Sequence, residues 1–94
     1  MIINFACEET GKIFKGEMSF SLDHSMQNVA RRKLEYLHRA RTLQDLKSPP
    51  GNCLEALKGK WGGRHSIRIN DQWRICFRWV DGNAEDVEIV DYHG

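Results

Sequence analysis

Two spacings of apolar residues divide the chain. Met26, Val29 or Ala30, Leu34 and Leu37 recur every three to four positions, the stripe of a helix with one buried face. Asp23 or Ser25 stands where a side chain would cap its first turn. Beyond position 60 the period becomes two. Trp73, Ile75, Phe77 and Trp79 alternate with Arg74, Cys76, Arg78 and Val80, and Ile67 and Ile69 alternate with Ser66, Arg68 and Asn70. Both runs read as half-buried strands. Asn70-Asp71 between them fits a tight hairpin, and Asp81-Gly82-Asn83 marks the next one. A last strand is expected from about 85 to 92 and a further one around 54 to 57.

The remaining elements are shorter. Ile2, Ile3 and Phe5 suit an edge strand, and Glu8-Glu9 followed by Lys12, Ile13, Phe14 and Lys15 suggests a first helix stopped at Gly16. Leu43 and Leu46 form a further turn before Ser48-Pro49-Pro50-Gly51-Asn52, which cannot continue a helix and marks the seam between a helical and a β half. The expected fold class is α+β: two to three helices packed on a twisted, mainly antiparallel sheet of four or five strands.

Ninety-four residues, 40% hydrophobic and 29% charged, are the size and composition of one globular domain, expected to span 1–94. A core of this size argues against a large enclosed cavity. No apolar run approaches the roughly 20 residues of a membrane-spanning helix, and residues 1–7 do not resemble a secretory signal, so the expected compartment is the cytoplasm, with no membrane partner. Cys7, Cys53 and Cys76 are odd in number and far apart, which suits reduced packing residues; no metal and no cofactor is expected.

The formal charge of +1 conceals three blocks. Residues 1–28 carry −2, residues 29–78 carry +8 and residues 79–94 carry −5. The middle block either gathers into an anion-attracting surface or is cancelled across neighbouring strands. Within it, the segment Lys58-Gly59-Lys60-Trp61-Gly62-Gly63-Arg64-His65 lies between two expected strands and resembles an anion-binding loop, though it lacks P-loop spacing. The competing reading is a Gly-rich hairpin loop with solvated lysines. Arg68, Arg74 and Arg78 fall on the strand faces opposite the apolar stripe. Arg78 is expected to pair with Asp86, Glu88 or Asp91 of the last strand, whereas Arg74 is expected to seek an anion such as phosphate. Arg31, Arg32, Lys33, Glu35, His38, Arg39 and Arg41 read as the solvated faces of the second helix. His24 is placed near that helix's start. Tyr92 and His93 combine a phenol with an imidazole that titrates near neutrality, though a terminal pair of this kind is also the composition of a frayed tail.

Three stretches read together carry a resemblance. They are Leu54-Glu55-Ala56-Leu57-Lys58-Gly59, then the run from His65 to Phe77 with its Trp73-Arg74-Ile75-Cys76-Phe77 strand, and Val87-Glu88-Ile89-Val90-Asp91-Tyr92-His93. With the Ala30-Arg31-Arg32-Lys33-Leu34 helix and the Pro49-Pro50-Gly51-Asn52 seam, the chain resembles the HigB toxins of the RelE/ParE superfamily, the killer proteins of type II toxin–antitoxin modules. The resemblance implies a RelE-like fold and an endoribonuclease that cleaves messenger RNA on the translating ribosome. It implies a HigA-like helix-turn-helix antitoxin as partner, with operator DNA bound only through the toxin–antitoxin complex.

The same resemblance implies a catalytic set of Arg74, Asp91, Tyr92 and His93, with Lys58 as the basic residue after the L-x-x-L stretch; Lys60, Arg64 and Arg68 are the further candidates for RNA phosphate. A histidine of some relatives is replaced here by Glu55, which stands either as a substitute base or as a structural residue. Glu17-Met18-Ser19-Phe20-Ser21-Leu22 departs from the basic, proline-containing segment of relatives. The implied reaction needs no metal: the 2′-hydroxyl is deprotonated, attacks phosphorus and expels the 5′-oxygen. Two alternatives share the fold, a ParE-like gyrase inhibitor and a degenerate member that keeps only antitoxin and operator binding.

Overall fold

The computed structural model describes residues 1–91, without the side chain of Trp61. Helix α1 spans Glu8–Phe14 and α2 spans Gln27–Arg39. They pack with a four-stranded antiparallel sheet of β1 (Glu55–Ala56), β2 (Arg64–Arg68), β3 (Trp73–Val80) and β4 (Asn83–Asp91), in that spatial order. The fold is α+β, as the two spacings predicted.

Local chemistry explains where the elements begin. The Asp23 carboxylate accepts the Ser25 amide at 3.0 Å and caps a 3-10 turn, His24–Met26, that feeds α2. Thr42 and Asp45 form a reciprocal capping box on the 3-10 turn Leu43–Lys47. The seam becomes a further 3-10 turn, Pro50–Asn52, after a cis Ser48–Pro49 bond. Asp81 and Gly82 both have positive φ, the backbone of the tight turn that joins β3 to β4.

Ala30, Leu34 and Leu37 of α2 are fully buried, and with Met26, Ile13 and Leu46 they meet Ile67, Ile75, Phe77 and Val87 from one face of the sheet. Strict alternation fails only on β4. Ala84, Val87 and Ile89 all face the core although their spacing is three and then two. The extra residue is a bulge opposite the Cys76–Arg78 stretch of β3, at Asp86, whose φ is 52°. Asn4 braces it: its side chain accepts the Asp86 amide at 2.9 Å and donates to the Asp86 carboxylate at 3.2 Å. The expected edge strand near Ile2 is present as two parallel bridges to β4, Ile2 with Ala84 and Phe5 with Val87, rather than a continuous strand.

Three side chains depart from the expectation of a solvated helix or basic loop. Lys33 is buried, because the three-residue step from Ala30 places it at the flank of the buried stripe, against the seam. His38 is half-buried, accepting the Ile2 amide at 3.1 Å and lying 5.2 Å from the Phe14 ring. His65 belongs to β2, not to the loop, and stacks on Phe77 with centroids 6.2 Å apart.

Leu34 and Phe20 provide a contrast, since Leu34 is fully buried and Phe20 is 88% exposed. Leu34→Ala is expected to lower unfolding free energy by about 2–5 kcal/mol, and Phe20→Ala to change it by less than about 0.5 kcal/mol. Urea unfolding of the two variants checks both.

Candidate active site

The strand register determines which polar side chains share a surface. Arg64 lies opposite Arg78, Ser66 opposite Cys76, and Arg68 opposite Arg74 across β2 and β3. Glu55 lies opposite Ser66 on β1, and Cys76 opposite Glu88 on β4. All belong to the sheet face turned away from the helices, because Ile67, Ile75 and Phe77 occupy the other one. The bulge keeps Glu88 and Glu85 both on this polar face, opposite Cys76 and Arg78, despite their odd separation.

Arg74 is at the centre and is only 6% exposed. Its Nε donates to Ser66 Oγ at 2.8 Å. One terminal nitrogen, Nη2, donates to the Cys53 carbonyl at 2.6 Å and to the Ser66 carbonyl at 3.4 Å. The other, Nη1, is 4.0 Å from the Glu55 carboxylate, whose side chain is about half exposed. Arg74 is therefore buried and engaged by protein oxygens before any anion is considered. Its rigid planar fork is held on one side by protein oxygens and bordered on the other by an acidic side chain.

The surrounding charges are partly paired. Arg78 reaches Asp86 at 3.4 Å and Glu85 at 4.0 Å, the cross-strand neutralisation expected of it. Arg64 lies 3.8 Å from Glu88, and Arg68 is engaged by Asp71 of the adjoining turn. Lys58 and Lys60 are exposed at either side of the start of the 3-10 turn Gly59–Trp61, which leads through Gly62 and Gly63 into β2. The basic loop thus opens onto the edge of the sheet beside β1.

Register also separates candidates. Asp91 lies opposite Trp73, in the alternation of the apolar face, and accepts from Gln72 Nε2 at 3.0 Å. It is not brought beside Arg74. Tyr92 and His93 lie outside the described residues. The structure adds two groups that residue type alone did not single out, Ser66 and the Cys53 carbonyl, and it places Glu88 beside Arg64 rather than Arg78. Ser66 had a signal, being the only small polar residue on the strand face between Arg64 and Arg68. The Cys53 carbonyl had none, since any residue carries one.

These features meet a family already defined by sequence. The family model described as the RelE-like toxin of the type II toxin–antitoxin system HigB matches residues 5–93. The chain belongs to this family. It is 50% identical over 60 residues to toxin HigB-1 of Vibrio cholerae serotype O1, a stretch covering 64% of this chain and 63% of that protein. The match thus spans just under two thirds of the Vibrio toxin's length. An uncharacterized protein of Haemophilus influenzae is 29% identical over 72 residues, 77% of this chain and 71% of that one. Among the described residues no helix is long and apolar enough to cross a membrane.

One group on the polar face has a displaced titration. Burial pushes the Cys76 thiol up from its ordinary 9.0 to about 11, and the facing Glu88 carboxylate adds to the effect. A thiol raised in the folded state contributes stability that is fully present below pH 9 and is lost as pH rises towards 11. Between those limits the wild type is expected to lose up to about 2 kcal/mol more than Cys76→Ala in urea unfolding. At pH 8 a thiol reagent should label exposed Cys53 well before Cys76. A Cys76 that reacts first would contradict the placement.

Proposed function

We propose that this chain is the toxin of a type II module and acts as a ribosome-dependent messenger-RNA endoribonuclease, with residues 1–94 as its single working domain. The observation that carries the reading is the open polar face with Arg74 immobilised at its centre, on a chain of the HigB family. A face without walls suits a substrate that is a strand rather than a small molecule, and the ribosome supplies the positioning that an enclosing pocket would otherwise give.

In the proposed reaction a base removes the proton of the 2′-hydroxyl. That oxygen attacks the adjacent phosphorus, the bond from phosphorus to the 5′-oxygen breaks, and an acid returns a proton to the 5′-oxygen. The products are a 2′,3′-cyclic phosphate, or the 3′-phosphate it opens to, and a 5′-hydroxyl. Arg74 and Lys58 neutralise charge on the phosphoryl oxygens, and a preorganised cation in a partly dry site is worth more than the same cation in water. Glu55, exposed on the same face and 4.0 Å from Arg74, takes the place of the base. Tyr92 and His93 take proton transfer or base stacking on the strength of the family resemblance. Lys60, Arg64 and Arg68 hold flanking phosphates. The partners are the ribosome, the message and a HigA-like antitoxin, with operator DNA met through the complex and the cytoplasm as the compartment.

Primer extension on a reporter message in a translation extract tests the reading. Wild-type protein is expected to produce discrete cleavage ends. Arg74→Ala and His93→Ala are expected to reduce them by about 10²–10⁴-fold while far-ultraviolet circular dichroism is retained. An intact message in the presence of wild-type protein overturns the assignment. Growth arrest with a DNA-damage response and no effect of His93→Ala would point to gyrase instead.

A further inference from the structure

Arg74 is aimed by the seam, and the seam is held from the opposite side of the molecule. Cys53, whose carbonyl accepts from Arg74 at 2.6 Å, has φ 46° and ψ 55°, a left-handed backbone that a residue with a Cβ adopts only under constraint. Its amide donates to the Pro50 carbonyl at 3.1 Å, closing the turn. The residue before it, Asn52, is fully buried, and every polar atom of its side chain is used. Nδ2 donates to the Leu46 carbonyl at 3.1 Å and to the Ser48 carbonyl at 3.3 Å. Oδ1 accepts the Lys33 ammonium at 2.6 Å.

Lys33 comes from α2, in the helix layer behind the sheet, and is itself buried. Burial lowers its pKa, and the neighbouring Arg32 and Arg68 add to the lowering. A lysine placed at such a disadvantage needs its acceptor, and Asn52 Oδ1 supplies it. The ammonium also lies 5.8 Å from the centre of the Tyr36 ring, which adds a weaker attraction. The chain of contacts therefore runs from α2 through Lys33 and Asn52, across one peptide to the Cys53 carbonyl, and into the Arg74 guanidinium. It connects the helix layer to the polar face through the seam that precedes β1 in the chain.

We propose that Lys33 and Asn52 are positioning residues that set the orientation of Arg74 by fixing the Cys53 carbonyl. The role deepens, and rests on, the ribonuclease reading of Arg74. Neither side chain needs to touch RNA. Ser66 holds Nε through its hydroxyl and reaches Nη2 only at 3.4 Å, whereas the seam carbonyl makes the shortest contact on Nη2 at 2.6 Å, so loss of the seam contact loosens that side of the fork. The amide of Asn52 is specifically required. An aspartate keeps an acceptor for Lys33 but presents oxygen to two carbonyls, and an alanine strands the ammonium and both carbonyls together.

Two measurements on the intact protein test this. The first is the solvent-exchange rate of the Arg74 Nε proton by nitrogen-15 NMR, assigned by its loss in Arg74→Lys. It is expected to be slow in the wild type, faster by about tenfold or more in Asn52→Ala and Lys33→Met, and close to wild type in Lys33→Arg. The second is cleavage in the translation extract. Asn52→Ala is expected to lower kcat by about 100-fold, with KM for programmed ribosomes within about twofold. Ile13→Ala, a buried change in α1 away from the seam, serves as the control for destabilisation alone. An unchanged Arg74 proton in Asn52→Ala and Lys33→Met overturns the proposal, as does an equal loss of kcat in Ile13→Ala at matched thermal stability. If Asn52→Ala does not fold, the contrast between Lys33→Met and Lys33→Arg decides. Absence of cleavage by the wild type would defeat the ribonuclease reading and leave the NMR result to decide the positioning.

Discussion

The rest of the molecule depends on the two-residue period of β2 and β3. In an antiparallel pair every second side chain must enter the helix layer, and here Ile67, Ile75 and Phe77 do so with no exposed surface left. The residues between them have no choice but to share the other face. That is how Arg64, Ser66, Arg68, Arg74, Cys76 and Arg78 come together, although they span fifteen positions of sequence. A slip of one residue would bury four arginines against the helices and expose the core.

Crowding cations on one face creates an electrostatic problem that the surroundings solve unevenly. Arg64, Arg68 and Arg78 each face a carboxylate, from Glu88, Asp71 and the Glu85–Asp86 pair. Arg74 is treated differently, through a hydroxyl and backbone carbonyls as well as Glu55. Neutral acceptors orient a guanidinium without cancelling its charge, so this arginine is held in place and still cationic. The same surroundings, dry and acidic on one side, displace the Cys76 thiol.

The loop between the two helices is ordered by a separate polar knot. Ser19 is fully buried, its hydroxyl donates to Glu9 at 2.6 Å, and Gln27 bonds both its amide and its carbonyl. Hydrogen bonds to Ser19 and Lys12 hold the Glu9 carboxyl below its usual range. Residues 17–22 are thus a tied loop that displays Met18 and Phe20 to solvent.

The amino-acid sequence alone determined the α+β class, the α2 stripe, both hairpins, the seam at Pro49-Pro50 and the face on which Arg74 would lie. Those features follow from local rules, helix and strand periods and turn-forming residues, that act over a few positions. The pairing of Arg78 with Asp86 was legible for the same reason, since the acidic strand adjoins it in sequence. Only the tertiary structure decided that Lys33 is buried, that Glu85 and Glu88 share the polar face, and that a backbone carbonyl at Cys53 holds the central guanidinium. A bulge changes strand parity without a mark in composition, and a charged helix residue is buried only when a distant loop brings it an acceptor. Carbonyl contacts are invisible in residue types because every residue carries the same group.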